Sequence, residues 1–161
     1  MKQQTLRVVA FDPTTRGFAY AVLEGEQTLV DWGLVHVHVL RRTDANILFR
    51  VERVLDRTSP DLFVVEDGRG TKRRERARRL IKGMEEIAKR RNLSLVRVSR
   101  SCVRKTLKPA FTKDDIALAV ASIFPELGPR LPRPRNKAWK TEDERMSIFD
   151  AVSFALAALS Q

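Results

Sequence analysis

The sequence has almost none of the residues that build disulfide frameworks or thiolate and imidazole metal sites. Its 161 residues include one cysteine, Cys102, and two histidines, His36 and His38. A single cysteine excludes an internal disulfide and a cysteine-rich zinc site. The histidines are two positions apart, which places them on one face of a predicted strand. Because the chain has no third histidine, an exposed polar face is a simpler interpretation than a metal pair.

Long apolar runs are also missing. No segment is long enough to cross a membrane, and residues 1–20 have no long apolar stretch after the first charges, so no signal peptide is expected. We therefore predict a cytoplasmic protein without a membrane partner. The length is typical of one domain with its own hydrophobic core, so we expect residues 1–161 to form a single domain.

Negative charge is scarce, with 20 acidic residues against 31 lysines and arginines and a net charge of +11. Such a balance predicts a polyanionic partner, most often nucleic acid, although a ribosome-associated or merely basic protein remains an alternative. Basic residues are densest around a predicted helix over 71–91. Like charges so close repel one another without a partner, which favours a phosphate-contacting face. The candidate contacts are Arg69, Lys72, Arg73, Arg74 and Arg76.

Three of the few acidic residues lie in or at the end of apolar segments. Asp12 ends an apolar run over 8–11, and a Pro/Thr/Gly turn and a second apolar run over 18–23 follow it, a pattern that predicts a β-hairpin. Glu66 ends a predicted buried strand over 61–66, and Asp150 interrupts an almost wholly apolar helix. A buried carboxylate is costly unless it is compensated. For Asp12 alone, a turn cap is an equally simple explanation.

The order of elements predicts an α/β fold with a mixed five-stranded sheet, an antiparallel three-strand meander plus parallel strands, flanked by helices. The predicted strands cover 8–11, 18–23, 28–40, 61–66 and 93–98. The predicted helices cover 46–56, 71–91, 101–107, 112–124 and 145–159. Capping-box patterns at 112–115 and 141–144 mark two helix starts. The proline-rich stretch 125–138 predicts an irregular loop.

If the three acids meet, their mutual repulsion requires cations. Oxygen-only ligands suit Mg²⁺ or Mn²⁺. Two such ions can clamp the attacking and leaving oxygens of a phosphodiester. An acid cluster on a basic chain therefore predicts a metal-dependent nuclease.

Five segments resemble, in order, four motifs of the RuvC family of Holliday-junction resolvases. They are Asp12 to Ala19, Val64 to Glu66, the basic stretches 103–106 and 112–116, and the helix containing Asp150 and Ala151. The resemblance implies an RNase H-like fold, a two-metal active site, a homodimer and cleavage of branched DNA. It also implies that Arg104 and Lys113 contact the cut strand.

The sequence departs from that pattern at three places. Thr14 replaces a glycine, Ser147 occupies a position that usually holds an acid or histidine, and residues 67–70 lack an aromatic for junction stacking. Positions 143, 147 and 150 would share one face of a helix beginning near residue 142. We therefore expect Asp143 to supply the missing acid, with Glu142 as second choice and Glu144 in the helix cap.

Other interpretations stay open. The same fold can act on another DNA form or on structured RNA, or it can be a catalytically inactive nucleic-acid-binding domain, which Ser147 would suit. An actin-like phosphotransferase also places an Asp at a strand end before a phosphate loop. That fold repeats its core, and this chain is too short for two copies.

Overall fold

A computed structural model describes residues 4–68, 73–133 and 142–161. Its strands are β1 (Arg7–Pro13), β2 (Gly17–Glu24), β3 (Thr28–His36), β4 (Leu62–Glu66) and β5 (Ser94–Val98). Its α-helices are α1 (Asp44–Thr58), α2 (Glu75–Arg90), α3 (Arg100–Thr106), α4 (Lys113–Ile123) and α5 (Met146–Leu159). Two short 3₁₀ helices cover Val39–Arg41 and Pro125–Arg130.

The five strands form one mixed sheet in the order β3-β2-β1-β4-β5. β1 pairs antiparallel with β2, and β2 pairs antiparallel with β3. β4 and β5 extend the sheet in parallel on the other side of β1. The predicted combination of an antiparallel meander with parallel strands is confirmed.

Each face of the sheet carries its own layer of helices because strand side chains alternate in direction. Val8 and Ala10 of β1 pack with residues of α3, α4 and α5. Val9 and Phe11 pack with residues of α1 and α2 on the opposite face. The same alternation puts Asp12 on the α5 face of the sheet.

Side-chain caps start three of the helices. Thr43 caps α1 and Ser99 caps α3, each by accepting a hydrogen bond from a backbone N–H in the first turn. Thr112 starts α4 with the predicted capping box, in which Asp115 also accepts from the backbone N–H of Thr112. The cap fixes Lys113 as the first residue of α4.

The third strand and the proline-rich loop were wrong in extent. The third strand ends at His36, and Nδ1 of His38 accepts a hydrogen bond from the N–H of Leu40 at the start of a 3₁₀ helix. The two histidines therefore do not share one strand face. The stretch predicted to be an irregular loop contains the helix Pro125–Arg130, which buries Leu127, while residues 134–138 lie outside the described part of the chain.

The basic helix α2 begins at Glu75 rather than near residue 71. Arg69 and Lys72, two of its expected phosphate contacts, lie outside the described residues. Within the ranges that the structure describes, no helix is long and apolar enough to cross a membrane.

Candidate active site

Three buried acids meet where the carboxyl ends of β1 and β4 approach α5. In the parallel β1–β4 pair, Ala10 is level with Val64, and continuing that register sets Asp12 level with Glu66. α5 packs on the same face and adds Asp150 from its second turn. All three acids are at most 3% exposed. The carboxyl ends of strands in open α/β sheets are the usual place for ligand sites.

Two arginines bridge the three carboxylates. Nη1 of Arg73 donates to Oδ1 of Asp12 at 2.8 Å and to Oε2 of Glu66 at 2.5 Å. Arg100 donates from Nε to Oε1 of Glu66 at 3.1 Å and from Nη1 to Oδ1 of Asp150 at 2.7 Å. One guanidinium thus lies between each successive pair of acids, which compensates the cost of burying them.

Both arginines are anchored by further contacts. Nη2 of Arg73 donates to the carbonyl of Pro13 at 2.9 Å, which ties the segment before α2 to the end of β1. The guanidinium of Arg100 lies 5.0 Å from the ring centroid of Phe154 on α5, a cation–π distance. Arg100 therefore joins the start of α3 to β4 and α5.

Lys113 connects the acid cluster to the segment before α5. Its Nζ lies 3.4 Å from Oδ2 of Asp150 and donates to both carboxylate oxygens of Glu142 at 2.9 and 3.1 Å. Glu142 is thereby linked to Asp150 through a shared cation.

Burial and charge perturb the ionisable groups of the cluster. Burial, together with the charge of Asp150, raises the pKa of Asp12 from 3.8 to about 6, although Arg73 and Arg100 oppose the shift. Burial alone would lower the pKa of Lys113, but the charges of Asp150 and Glu142 outweigh it and the pKa is raised. The pKa values of Arg73 and Arg100 are raised in the same way by the acids they contact.

The segment before α5 differs from the prediction. The helix begins at Met146, so Asp143 precedes it and the helical spacing expected to join Asp143 to Asp150 does not apply. The carboxylate of Asp143 instead accepts from the backbone N–H of Arg145 at 3.0 Å and from its Nη2 at 2.6 Å. Those hydrogen bonds lower the pKa of Asp143, outweighing burial.

Glu144 was expected to cap α5, and that expectation was wrong. Its Oε1 accepts from Oγ1 of Thr15 at 2.8 Å, and its Oε2 lies 2.7 Å from Nε2 of His36. Thr141, the other member of the predicted capping box, lies outside the described residues. Glu144 therefore ties the β1–β2 turn and the end of β3 to the approach to α5.

The cluster forms part of an open cleft with a volume of about 1270 Å³. Among the described residues, equal numbers of acidic and basic side chains line the cleft, Arg74 and Arg76 among the basic ones. Arg104 does not line the cleft, because its guanidinium stacks on the exposed ring of Phe111, 5.4 Å from the centroid. Lys113 and Arg104, paired by sequence resemblance, thus have different surroundings.

Arg100 was missed by the sequence reasoning. It lies two residues after the end of β5, at the same sheet edge as Asp12 and Glu66. A basic residue directly after the third parallel strand was the available signal, since strand ends of one direction meet at one edge.

The donor set fits a hard divalent cation, because the three acids supply only oxygen ligands and already attract positive groups between them. Across 4–68, 73–133 and 142–161, no three acidic, histidine or cysteine side chains converge closely enough to hold one ion. The guanidinium groups of Arg73 and Arg100 lie between these carboxylates.

No protein-family model matches this sequence, and no curated protein has significant sequence similarity to it. Solved structures do match. RuvC from T. thermophilus in complex with a Holliday junction substrate superposes with a TM-score of 0.67 at 20% identity, covering 96% of this chain and 93% of that one.

Two further structures match at 14% identity. Fowlpox virus resolvase, solved with Holliday junction DNA, gives a TM-score of 0.59, covering 96% of this chain and 97% of that one. The yeast mitochondrial Holliday junction resolvase gives 0.56, covering 96% and 78%. From its sheet order and these superpositions, the chain has the RuvC-like form of the RNase H-like fold.

Proposed function

We propose that this protein is a divalent-metal-dependent endonuclease that cleaves branched DNA in the manner of a Holliday-junction resolvase. The observation that supports it most is the meeting of Asp12, Glu66 and Asp150, each nearly inaccessible, in a cleft of a RuvC-like fold. The named DNA complexes of the T. thermophilus and fowlpox proteins support the substrate class.

In this proposal Asp12, Glu66 and Asp150 bind Mg²⁺ or Mn²⁺. The bound ions would lower the pKa of an attacking water and stabilise charge on the phosphate oxygens. Lys113, which lines the cleft and lies 3.4 Å from Asp150, would contact the phosphate of the cut strand. Arg104 and the basic residues around the start of α2 would position the flanking DNA backbone.

Asp12→Asn, Glu66→Gln and Asp150→Asn test the proposal. Each substitution removes a ligand whose loss costs several kcal/mol of transition-state stabilisation, so cleavage should fall on the order of 1000-fold. DNA binding should be retained or slightly tighter, because a negative charge has been removed beside the phosphate. The measurement is single-turnover cleavage of a four-way junction in Mg²⁺, with binding measured in parallel.

Duplex, flap and RNA substrates in the same assay determine the substrate class. Exposed Asp56 of α1, remote from the cleft, supplies a matched control, and Asp56→Asn should cleave like the wild type. Cleavage of the junction at a near wild-type rate by any one of the three acid variants would remove that residue from the site.

A second candidate function is nucleic-acid binding without catalysis. The specific observation in its favour is that cations of the chain itself contact all three acids. The same assays separate the two functions, since a binding domain would bind junction DNA and cleave nothing in Mg²⁺ or Mn²⁺.

A further inference from the structure

The positions between the three acids are filled by two guanidinium groups. Arg73 bridges Asp12 and Glu66, and Arg100 bridges Glu66 and Asp150. These are short, charge-assisted contacts between side chains that are at most about one quarter exposed. A divalent ion that binds these carboxylates must compete with the two guanidinium groups for the same oxygens.

Charge balance makes that competition severe. Among the described residues, Arg73, Arg100 and Lys113 each contact the cluster of three carboxylates, so their three positive charges balance its three negative charges before any ion arrives. A divalent ion attracted to a nearly neutral cluster binds more weakly than one attracted to uncompensated carboxylates. Adding an ion while all three cations stay in contact would leave a large excess of positive charge in a buried place.

A DNA phosphate removes this obstacle. Guanidinium groups form bidentate contacts to phosphate as readily as to carboxylate. Both arginines line the open cleft, so a phosphate entering it can accept their hydrogen bonds. Each bond transferred from a carboxylate to the phosphate frees a carboxylate oxygen for the ion.

We propose that Arg73 and Arg100 are exchangeable counter-ions that leave the carboxylates for the DNA phosphate, so that DNA and the divalent ion bind cooperatively. The inference rests on the proposed nuclease function and deepens it, because it assigns two positioning residues to that site. In the free protein the guanidinium groups hold the cluster together. In the DNA complex the same groups position the phosphate beside the ion-binding oxygens.

The first consequence concerns the free protein. Arg73→Gln and Arg100→Gln each remove one competitor, so each should bind Mn²⁺ more tightly than the wild type, by roughly 10-fold. Mn²⁺ binding is followed by electron paramagnetic resonance of the free ion in the absence of DNA. Arg97→Gln is the matched control, because Arg97 lies on β5 close to Arg100 but pairs with Glu85 at the surface, and it should bind Mn²⁺ like the wild type.

The second consequence concerns the wild type and needs no substitution. A phosphorothioate four-way junction that resists cleavage should raise the Mn²⁺ affinity of the protein by about 5-fold to 150-fold, the usual range of coupling between two ligands. The Mn²⁺ bound by the junction alone is subtracted. By reciprocity, Mn²⁺ should tighten junction binding by the same factor, and the factor should shrink in Arg100→Gln.

Thermal unfolding provides a measurement that tests folding at the same time. Removing one partner of a buried ion pair leaves an uncompensated charge, so Arg100→Gln should melt at a lower temperature than Arg97→Gln in EDTA. Added Mn²⁺ should raise the melting temperature of Arg100→Gln more than that of the wild type. If Arg100→Gln does not fold, the effect of the junction on the Mn²⁺ affinity of the wild type decides whether the proposal holds.

Unchanged or weaker Mn²⁺ binding by folded Arg73→Gln and Arg100→Gln would overturn the proposal, as would a junction that leaves wild-type Mn²⁺ affinity unchanged. These failures differ from failure of the nuclease function. If the protein cleaves junctions but its Mn²⁺ affinity is the same with and without each arginine, it is a nuclease without counter-ion exchange. If it neither cleaves nor binds junctions, the proposed nuclease function is wrong.

Discussion

At the scale of single residues, the ionisation of Asp12 should make the free energy of unfolding depend on pH. Because burial raises its pKa from 3.8 to about 6, the folded protein keeps this proton over a pH range in which the unfolded chain has lost it. The free energy of unfolding therefore falls as pH rises from about 4 to about 6, by up to about 3 kcal/mol from this group. Asp12→Asn cannot titrate, so its stability relative to the wild type should increase over the same range in EDTA.

Asp115 provides a control of opposite sign. Hydrogen bonds from Thr112 and Phe111 lower its pKa, so its contribution is present above the unfolded pKa and is lost as pH falls through the folded value. Asp115→Asn should therefore approach wild-type stability at acid pH. Urea unfolding across the pH series measures both differences, and parallel curves for wild type and Asp12→Asn would contradict the prediction.

A second residue-scale prediction concerns the fourth acid of the site. The carboxylate of Asp143, the acid favoured by the sequence, forms an ion pair with Arg145. Glu142 and Asp150, in contrast, both form ion pairs with Lys113. We expect Glu142→Gln to raise the Mg²⁺ concentration needed for half-maximal cleavage by roughly 10-fold to 100-fold, the usual effect of losing a supporting ligand. Asp143→Asn should leave it unchanged.

Ser147→Ala belongs to the same Mg²⁺ titration, because Ser147 lines the cleft where an acid was expected. A shift for Asp143→Asn with none for Glu142→Gln would restore the assignment made from the sequence.

At the scale of elements, the basic face of helix α2 forms ion pairs with acids of the protein itself. The density of like charge favoured a phosphate-contacting face, but Arg76, Arg79 and Arg90 of α2 pair with acids of α1. Arg90 pairs with Glu52 near the far end of the helix, while Arg74 and Arg76 line the cleft. Arg74 and Arg76, at the end of this face that lines the cleft, are therefore the residues that we expect to contact the DNA backbone there.

Salt dependence of DNA binding tests this division. Arg74→Gln and Arg76→Gln should each reduce the slope of log K against log salt concentration by about 0.9, the value for one phosphate contact on duplex arms. Arg90→Gln removes the same charge at the other end and should leave the slope unchanged. Equal slopes for all three variants and the wild type would show that α2 does not contact phosphate.

At the scale of the whole molecule, we propose a homodimer on DNA. A four-way junction has two symmetric strands to cut, and a two-fold dimer supplies two matched sites. Sedimentation velocity with a labelled junction should show two protomers in each complex. One protomer per junction, together with paired nicking of both strands, would contradict the proposal.

The sequence by itself determined the sheet and the position of the acids. The apolar runs of β1, β4 and α5 reflect local preferences for burial, which can be recognised from neighbouring residues in the sequence. The turn residues and the capping box of α4 are equally local, and the structure agrees with both. An acid at the end of a buried strand was therefore recognisable without coordinates.

The tertiary structure alone decided which cations compensate those acids. Arg73 and Asp12 are 61 residues apart, and Arg100 and Asp150 are 50 apart, so no local pattern pairs them. Long charged side chains reach several possible partners, and only the packing of strands and helices selects among them. The same packing separated Glu142 from Asp143, neighbours in the chain whose carboxylates bind different cations because the backbone turns between them and α5.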